Sequence, residues 1–185
     1  LGGQVLNTKD WKLRINASLN TNKNKVLDIG TAVPFAIGGF SSRTIQTVVA
    51  KGKPVGFLRG SKAELNHDGS LKDVLNLQDL GTTLPTKYGN FSVNWRRLAF
   101  FISGDWQTGA YVHSFDRQFR FAKGLKDPAI PDKALEGKTQ AKEWLNFTNF
   151  FVEKSDFLKI RNMGVSYDWS FKQLIKTMTI GFNVY

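Results

Sequence analysis

The stretch Trp11-Lys-Leu-Arg-Ile-Asn-Ala-Ser-Leu-Asn20 alternates apolar and polar residues without a break. Successive side chains of a β-strand point to opposite faces, so this stretch predicts a strand with one apolar face and one polar face. Residues 91–95 and 98–106 repeat the alternation on either side of Arg96-Arg97, which indicates a hairpin with a tight turn. Residues 162–167 and 177–184 indicate a second hairpin, with its turn at Asp168-Trp169-Ser170.

Two long polar segments separate these strands. Residues 60–85 carry the turn signal His67-Asp68-Gly69, and residues 114–154 carry Asp127-Pro128. Because proline cannot donate to a strand ladder, we expect no central strand in either segment. Short connections, expected at Asn22–Lys25 and at the two hairpin turns, therefore alternate with long ones. This alternation is typical of up-and-down outer-membrane barrels.

About six strands are predicted, at residues 11–20, 43–59, 86–95, 98–113, 155–167 and 174–185, and residues 27–42 receive no placement. Bacterial membrane barrels begin at about eight strands, so this number cannot close one. The expected fold is all-β: an antiparallel up-and-down transmembrane β-barrel segment, about six strands of a larger barrel, with long extracellular loops. The apolar residues from Met178 to Val184 have the opposite parity to Tyr185, so we expect a further strand to follow.

The alternation divides the strand residues into two sets that a barrel would expose to different surroundings. We expect the polar set to face the lumen: Lys12, Arg14, Asn16, Ser18, Ser103, Asp105 and Gln107. We expect the apolar set to face lipid: Trp11, Leu13, Ile15, Leu19, Leu98, Phe100, Ile102, Trp106, Met163 and Val165. Trp95 and Trp169 lie beside short turns, which is typical of the aromatic girdles at membrane interfaces.

Lys159 and Arg161 do not fit this division, because they share the parity of Met163 and Val165. Either both residues lie beyond the membrane band, or a β-bulge near Arg161 reverses the register. We favour the first alternative, because this end of the strand leads into the long segment 114–154.

Four segments of the chain carry a resemblance to a known family. They are Trp11–Val26; Gly52–Phe57 followed by His67-Asp68-Gly69; Leu80–Pro85 with Tyr88–Phe91 and Asp105–Gly109; and Asp156–Tyr167. The last, Asp-Phe-Leu-Lys-Ile-Arg-Asn-Met-Gly-Val-Ser-Tyr, is the most specific. In this order they resemble the C-terminal barrel region of the SusC/RagA-type TonB-dependent outer-membrane transporters of Bacteroidota.

The resemblance implies that residues 1–185 are part of a barrel domain of about 22 strands with a plugged lumen, without the plug domain itself. Such transporters import glycans or peptides across the outer membrane of a Gram-negative bacterium. The implied partners are the rest of the barrel and the plug, a SusD-like surface lipoprotein, the TonB complex reached through an N-terminal part, and the lipid bilayer. The chain departs from the family at Asp168-Trp169, where the family prefers Leu-Pro.

The composition argues against catalysis. The chain has no cysteine and only two histidines, His67 and His113, which are not at metal-binding spacing. His113, Ser114 and Asp116 cannot form a catalytic triad, because adjacent residues of a strand point to opposite faces. The longest apolar run, residues 98–102, is far shorter than the roughly 18 residues of a spanning helix. We expect neither an enzyme nor a cofactor.

Three functional hypotheses stay open. The strands support equally a TonB-dependent nutrient importer and a SusC-like barrel that serves as a structural subunit of a larger outer-membrane complex. The net charge of +11 allows a third, nucleic-acid binding, but the basic residues form no single stripe, so we expect no nucleic-acid partner. Four aromatic residues of the long segment either pack that segment or contact a partner lipoprotein or substrate: Trp144, Phe147, Phe150 and Phe151.

Overall fold

The computed structural model describes residues 1–8, 11–41, 44–96, 100–171 and 175–184. Within these ranges most of the regular secondary structure is antiparallel strand, which confirms the all-β expectation. The strands are β1 Gly2–Asn7, β2 Lys12–Ala17, β3 Asn20–Thr21, β4 Phe35–Gly39, β5 Ile45–Val49, β6 Phe57–Leu65, β7 Leu71–Thr82, β8 Lys87–Arg96, β9 Phe100–Thr108, β10 Tyr111–His113, β11 Val152–Lys154, β12 Phe157–Phe171 and β13 Ile175–Val184. The helices are α1 Phe115–Ala122 and α2 Gln140–Glu143, with 3₁₀-helices at Asp132–Leu135 and Thr148–Phe151. No helix in the described part of the chain is long and apolar enough to cross a membrane.

The chain divides into two compact units. The first contains Leu1–Thr21, Lys87–Thr108 and Asp156–Tyr185, and the second contains Asn22–Thr86 and Gly109–Ser155. The first unit is one antiparallel sheet with the strand order β1-β2-β8-β9-β12-β13, and β3 pairs with β8 beyond the end of β2. The second unit has a four-stranded sheet, with the order β4-β5-β6-β7, and the ladder of β10 with β11.

The first-unit sheet differs in membership from the six predicted strands. Strand β1 is not among them, and residues 43–59 form β5 and the start of β6, which belong to the second unit. The expectation of no central strand in residues 60–85 is wrong, because β6 continues to Leu65 and lies between β5 and β7. The argument from proline fails there, since the only proline of that segment, Pro85, follows the end of β7.

Both predicted hairpins are present, because β8 pairs with β9 and β12 pairs with β13. The second hairpin turns later than predicted: Asp168 still pairs with Thr179 inside the ladder. The residues that join these strands, 97–99 and 172–174, lie outside the described residues. His67-Asp68-Gly69 forms the predicted turn between β6 and β7.

Both long connections leave and re-enter the first-unit sheet at the same end. Residues 22–86 join β3 to β8, and residues 109–156 join β9 to β12. The ends of these strands are neighbours, since Lys87 pairs with both Thr21 and Thr108. At the other end, links of a few residues join β1 to β2, β8 to β9 and β12 to β13. The alternation of long and short connections is therefore present, but Asn22–Lys25 begins a long connection instead of forming a short one.

Large aromatic side chains lie over glycines in the ladder of β8 with β9. Trp106 pairs with Gly89, and Phe91 pairs with Gly104. A Cβ atom at Gly104 would lie 2.6 Å from Cζ of Phe91, and one at Gly89 would lie 2.9 Å from Nε1 of Trp106. Side-chain carbons do not approach this closely, so each ring occupies the space that its glycine leaves open.

The buried hydrophobic side chains of the described residues all lie in the second unit. One cluster joins β6 to α1 and to the 3₁₀-helices: Ala63, Phe121, Ile130, Ala134, Phe147 and Phe151. Residues 114–154 are therefore a folded layer with its own core and not an extended loop. Asn149 ties this layer to β6, because its side chain donates to the Ala63 carbonyl at 3.2 Å and accepts from the Ala63 N–H at 2.9 Å.

A buried ion pair fixes the start of this layer. Helix α1 begins after Ser114, whose hydroxyl accepts a hydrogen bond from the Arg117 N–H. The guanidinium of Arg117 donates to both carboxylate oxygens of Asp127, at 2.9 and 2.7 Å, and also pairs with Glu153. Burial raises the pKa of Asp127, but the hydrogen bonds from Arg117 and from the Ala129 N–H outweigh burial and hold that pKa below its usual value.

Candidate functional site

Those predicted polar and apolar residues that pair within the strands lie on opposite faces of the first-unit sheet, whereas Ser18 and Leu19 lie between β2 and β3. Residues paired across neighbouring strands share a face, so the pairings define rows that cross the sheet. Two neighbouring apolar rows are Leu6, Leu13, Trp95, Phe100, Val165 and Gly3, Ile15, Val93, Ile102, Met163. Leu98 and the side chain of Trp169 lie outside what the structure describes. That the apolar face meets lipid stays a prediction.

Polar rows alternate with the apolar ones. One row consists of Asn16, Ser92, Ser103 and Asn162, in which Asn16 donates to the Ser92 hydroxyl at 3.1 Å and Asn162 donates to the Ser103 hydroxyl at 3.5 Å. A second row consists of Gln4, Arg14, Asn94, Phe101 and Gly164. The remaining predicted lumen residues lie elsewhere on this face or at its edge. Gln107 pairs with Tyr88, and Ser18 follows β2, where its hydroxyl accepts from the Asn90 N–H.

A β-bulge in β12 decides which face Lys159 and Arg161 take. Ile160 pairs with Gly104 and Asn162 pairs with Ser103, so Arg161 is an extra residue with no partner in that register. The guanidinium of Arg161 binds the carboxylate of Asp105, and Lys159 pairs directly opposite Asp105. We expected a regular strand with both cations beyond the membrane band. This expectation is wrong, because the strand is not regular at Arg161. The bulge alternative is correct.

The bulge keeps the apolar face continuous along β12. Leu158 and Ile160 precede it, and Met163 and Val165 follow it, yet all four lie on the face of Trp106 and Ile102. Their exposed fractions are 71%, 48%, 42% and 44%. None of the described hydrophobic residues of this unit is buried, so the sheet is a single layer with its apolar face uncovered.

Two tryptophans stack on the apolar face at the end of the sheet that has the short links. The ring centroids of Trp11 and Trp95 lie 5.3 Å apart, and their planes differ by 21°. Leu13, on the same face, pairs with Trp95. The stack marks one rim of the apolar face with the amphipathic residue type that membrane interfaces favour.

The polar face carries a cavity of about 530 Å³ near the same end of the sheet. Its lining comes from five neighbouring strands, β1, β2, β8, β9 and β12. Six lining residues have the parity of the polar face: Gln4, Lys12, Arg14, Asn94, Phe101 and Ser166. The other two, Trp95 and Phe100, pair with each other in an apolar row, so Phe100, which was expected to face lipid, also borders this cavity.

Two of the predicted lumen residues, Lys12 and Arg14, meet in this cavity. Asn16 and Ser103 lie in the adjoining row, whereas Asp105 and its partner Arg161 lie further along the face. The prediction missed four contributors to the cavity. Alternation could have found three of them, because Asn94, Phe101 and Ser166 share the parity of Ser92, Ser103 and Asn162, whereas Gln4 lies in β1, which was not predicted.

The four aromatic residues of segment 114–154 lie in the second unit. Phe147 and Phe151 have no exposed surface, so they pack the segment and cannot contact a partner. Trp144 and Phe150 are half-buried and pack against the same cluster. Among the described residues there is no cluster of three or more His, Cys, Asp or Glu side chains that could hold a metal ion.

No protein-family model and no curated protein sequence matches this chain. Solved structures do. The RagAB peptide importer in its "open-open" state matches with a TM-score of 0.64 and 14% identity over 100% of this chain and 24% of the matched chain. Its "closed-closed" state gives 0.62 and 14%, over 100% and 25%. A structure titled as the RagAB peptide transporter gives 0.61 and 13%, over 99% and 24%.

The likeness establishes the fold. This chain folds like about a quarter of the length of the RagAB chains that it matches. The RagA-type resemblance expected from the sequence is confirmed at that level, and so is the interpretation of the chain as an all-β barrel segment.

Proposed function

We propose that this chain forms part of the barrel wall of a SusC/RagA-type importer in the outer membrane of a Gram-negative bacterium. One feature carries the proposal: a single-layer sheet with a continuous, uncovered apolar face and a polar opposite face. A water-soluble sheet buries its apolar face against a second layer, whereas a barrel wall turns that face to lipid.

Strand length supports the same proposal. Strands β8 and β9 have 10 and 9 residues, and β13 has 10. A tilted transmembrane strand needs about 9–11 residues to cross the hydrocarbon core. The Trp11–Trp95 stack would lie at one interface, and both long connections leave from the other end of the sheet.

The second unit is proposed to lie outside the bilayer, as the folded loops of the importer. It has its own buried core, so it does not depend on lipid to cover apolar side chains. The proposed partners are the remaining barrel and plug, a SusD-like lipoprotein at the loops, and TonB. The cargo is proposed to be peptides, with glycans as the alternative.

The test uses the absence of cysteine from the chain. Single cysteines are introduced on the apolar face at Ile15, Ile102 and Met163, and on the polar face at Arg14, Ser103 and Asn162. The complete protein is reconstituted in vesicles, and each cysteine receives a nitroxide spin label. If the apolar face meets lipid, labels there collide with oxygen, and labels on the polar face collide with a water-soluble nickel chelate.

The pairs 102/103 and 162/163 are matched controls, because adjacent residues differ only in the face that they occupy. Equal nickel accessibility within both pairs would contradict the membrane proposal. Uptake of labelled peptides by cells that express the complete protein then separates an importer from a structural subunit. A membrane-embedded protein whose deletion leaves uptake unchanged would support the structural alternative.

A further inference from the structure

The cavity on the polar face has the donor arrangement of an anion site. Arg14 has the amide residue Gln4 as its neighbour on one side of its row and the amide residue Asn94 on the other. Lys12 lies two residues away on the same strand and the same face, at about 7 Å along the strand. The hydroxyl of Ser166 adds a further donor to the lining. Every polar side chain in the cavity can donate, and none is acidic.

The two cations of the cavity have no acidic partner in the described part of the chain. No Asp or Glu carboxylate there lies within ion-pair distance of Lys12 or Arg14. This differs from the rest of the same face, where Arg161 is neutralised by Asp105. The cavity is therefore a local concentration of positive charge on a concave surface, which focuses the field on an anion.

The lining also indicates which chemical kind of anion fits the cavity. A guanidinium presents a planar fork of donors that matches a carboxylate in bidentate fashion. Phe101 follows Asn94 in the row, so an aromatic ring borders the polar donors of the cavity. A volume of about 530 Å³ is within the range for ligand sites and exceeds what a bare ion needs. The aromatic neighbour favours an organic anion over an inorganic one.

We infer that this cavity binds the carboxylate of a peptide. Arg14 receives the carboxylate in its fork, Gln4 and Asn94 complete its hydrogen bonds, and Lys12 adds charge. The aromatic ring of Phe101 contacts the adjoining peptide residue. The inference rests on the proposed function, because it names the part of a peptide cargo that this wall recognises.

The test compares two probes that differ in one group, Gly-Phe-Ala with a free C-terminal carboxylate and the same peptide as its C-terminal amide. Both carry a fluorophore at the N-terminus, and their binding to the complete protein in detergent is measured by anisotropy. The free acid is expected to bind about tenfold more tightly than the amide, in line with one charge-assisted bidentate contact. In Arg14→Gln and Lys12→Gln the two peptides should bind more nearly alike.

Two further variants keep the test decisive. Arg14→Lys retains the charge and loses the fork, so it should restore only part of the preference for the acid. Lys159→Gln removes a cation from the same face outside the cavity and should leave the preference unchanged. A wild-type protein that binds acid and amide equally, or a double variant of Lys12 and Arg14 that keeps the full preference, overturns the inference.

Uptake of the amide peptide separates this inference from the function on which it rests. If cells import the amide but the cavity variants keep the full acid preference, the carboxylate site is wrong and the importer stands. If neither peptide is imported, the proposed function fails independently of the binding result.

Discussion

The guanidinium of Arg161 in β12 binds the carboxylate of Asp105 in β9, and it does so from the one residue that has no partner in the register between these strands. A regular β12 would place Lys159 and Arg161 on the same face as Met163. The extra residue instead turns both cations to the polar face and keeps the residues before and after it aligned. The ion pair and the continuous apolar face therefore have one common cause.

Deletion of Arg161 should be tolerated. Without it, Ile160 and Asn162 become neighbours in a regular strand, and both keep their present faces. Only the ion pair with Asp105 is lost, and this should change the stability little because solvent screens both side chains. Urea unfolding of the complete protein in vesicles measures the change.

Deletion of Val93 is the control for this prediction, since β8 pairs with β2 and β9 without a bulge in this region. Removing one residue there moves half of the strand to the wrong face. We expect that variant not to insert. A severe defect from both deletions would show that the bulge is not a removable insertion in an otherwise regular strand.

A charged side chain near the middle of the apolar face should lower the stability of the inserted protein. Ile102→Arg is expected to destabilise the inserted protein by about 2–4 kcal/mol, with a smaller effect for Trp95→Arg at the rim. Ser103→Arg, one residue away on the polar face, should have little effect. Folding titrations into lipid vesicles give the three values. Equal costs for Ile102 and Trp95 would indicate a water-soluble core instead of a membrane face.

The glycine beneath Phe91 should not accept a side chain. Gly104→Val would force its new atoms against the Phe91 ring and the Lys159 carbonyl, at an expected cost of about 1–3 kcal/mol. Gly3→Val is the control, because nothing lies within 4 Å of a Cβ atom there. Combining Gly104→Val with Phe91→Ala should recover part of the loss in a double-mutant cycle, and the absence of any recovery would argue against ring contact.

Acidification should loosen the second unit through His113. Burial lowers the pKa of His113 to about 4, although Gln118 raises it in part, whereas the unfolded chain has a histidine pKa of about 6.5. Below pH 6.5 the unfolded state therefore gains a proton that the folded state does not take up. Stability should fall between about pH 6.5 and pH 4, by at most about 1.4 kcal/mol per pH unit.

Hydrogen exchange of the α1 amides in the complete protein, corrected for intrinsic rates, reports this local stability. His113→Gln should remove most of the pH dependence over that interval. His67→Gln, in the exposed turn between β6 and β7, should leave it intact. Identical pH profiles for wild type and His113→Gln would contradict the prediction.

The ion pair of Arg117 and Asp127 should stabilise the same unit more than any exposed pair. Asp127→Asn is expected to cost about 1–3 kcal/mol, because Asp127 is buried and the variant loses a bidentate contact. Asp132→Asn, which breaks an exposed pair with Lys126, should change little. Exchange of the α1 amides measures both. Since the pKa of Asp127 is lowered in the folded state, its contribution should persist at neutral pH and disappear as pH falls below about 3.8.

Strict alternation explains why the first unit could be predicted and much of the second could not. Residues 11–20 and 91–106 alternate over their whole length, so face and pairing follow from parity alone. The bulge at Arg161 interrupts the alternation of the strand. The residue that stabilises the bulge, Asp105, lies on another strand, so the sequence of β12 alone does not reveal it. The turn at Gly52, Pro54 and Gly56 was available as a signal to split residues 43–59, since Gly52 and Gly56 both have positive φ.

Helix α1 illustrates the second limit. It has eight residues, which is too short for apolar residues to repeat over three turns. Its burial comes from contacts with β6 and with the Thr148–Phe151 helix, which are distant in sequence. The cavity on the polar face is predictable only in part for the same reason, because parity gives the face but not the strands that lie next to one another.

The alternation of ring and glycine in the β8–β9 hairpin has a consequence for how the chain finds its pairing partner during assembly. A slip of two residues preserves the separation of polar from apolar faces, so hydrophobicity alone does not forbid it. In one direction the slip would set Gly89 opposite Gly104 and leave a gap, and in the other it would drive Phe91 and Trp106 into the same space. The two hairpin strands therefore favour a single register, because only that register sets each aromatic ring opposite a glycine.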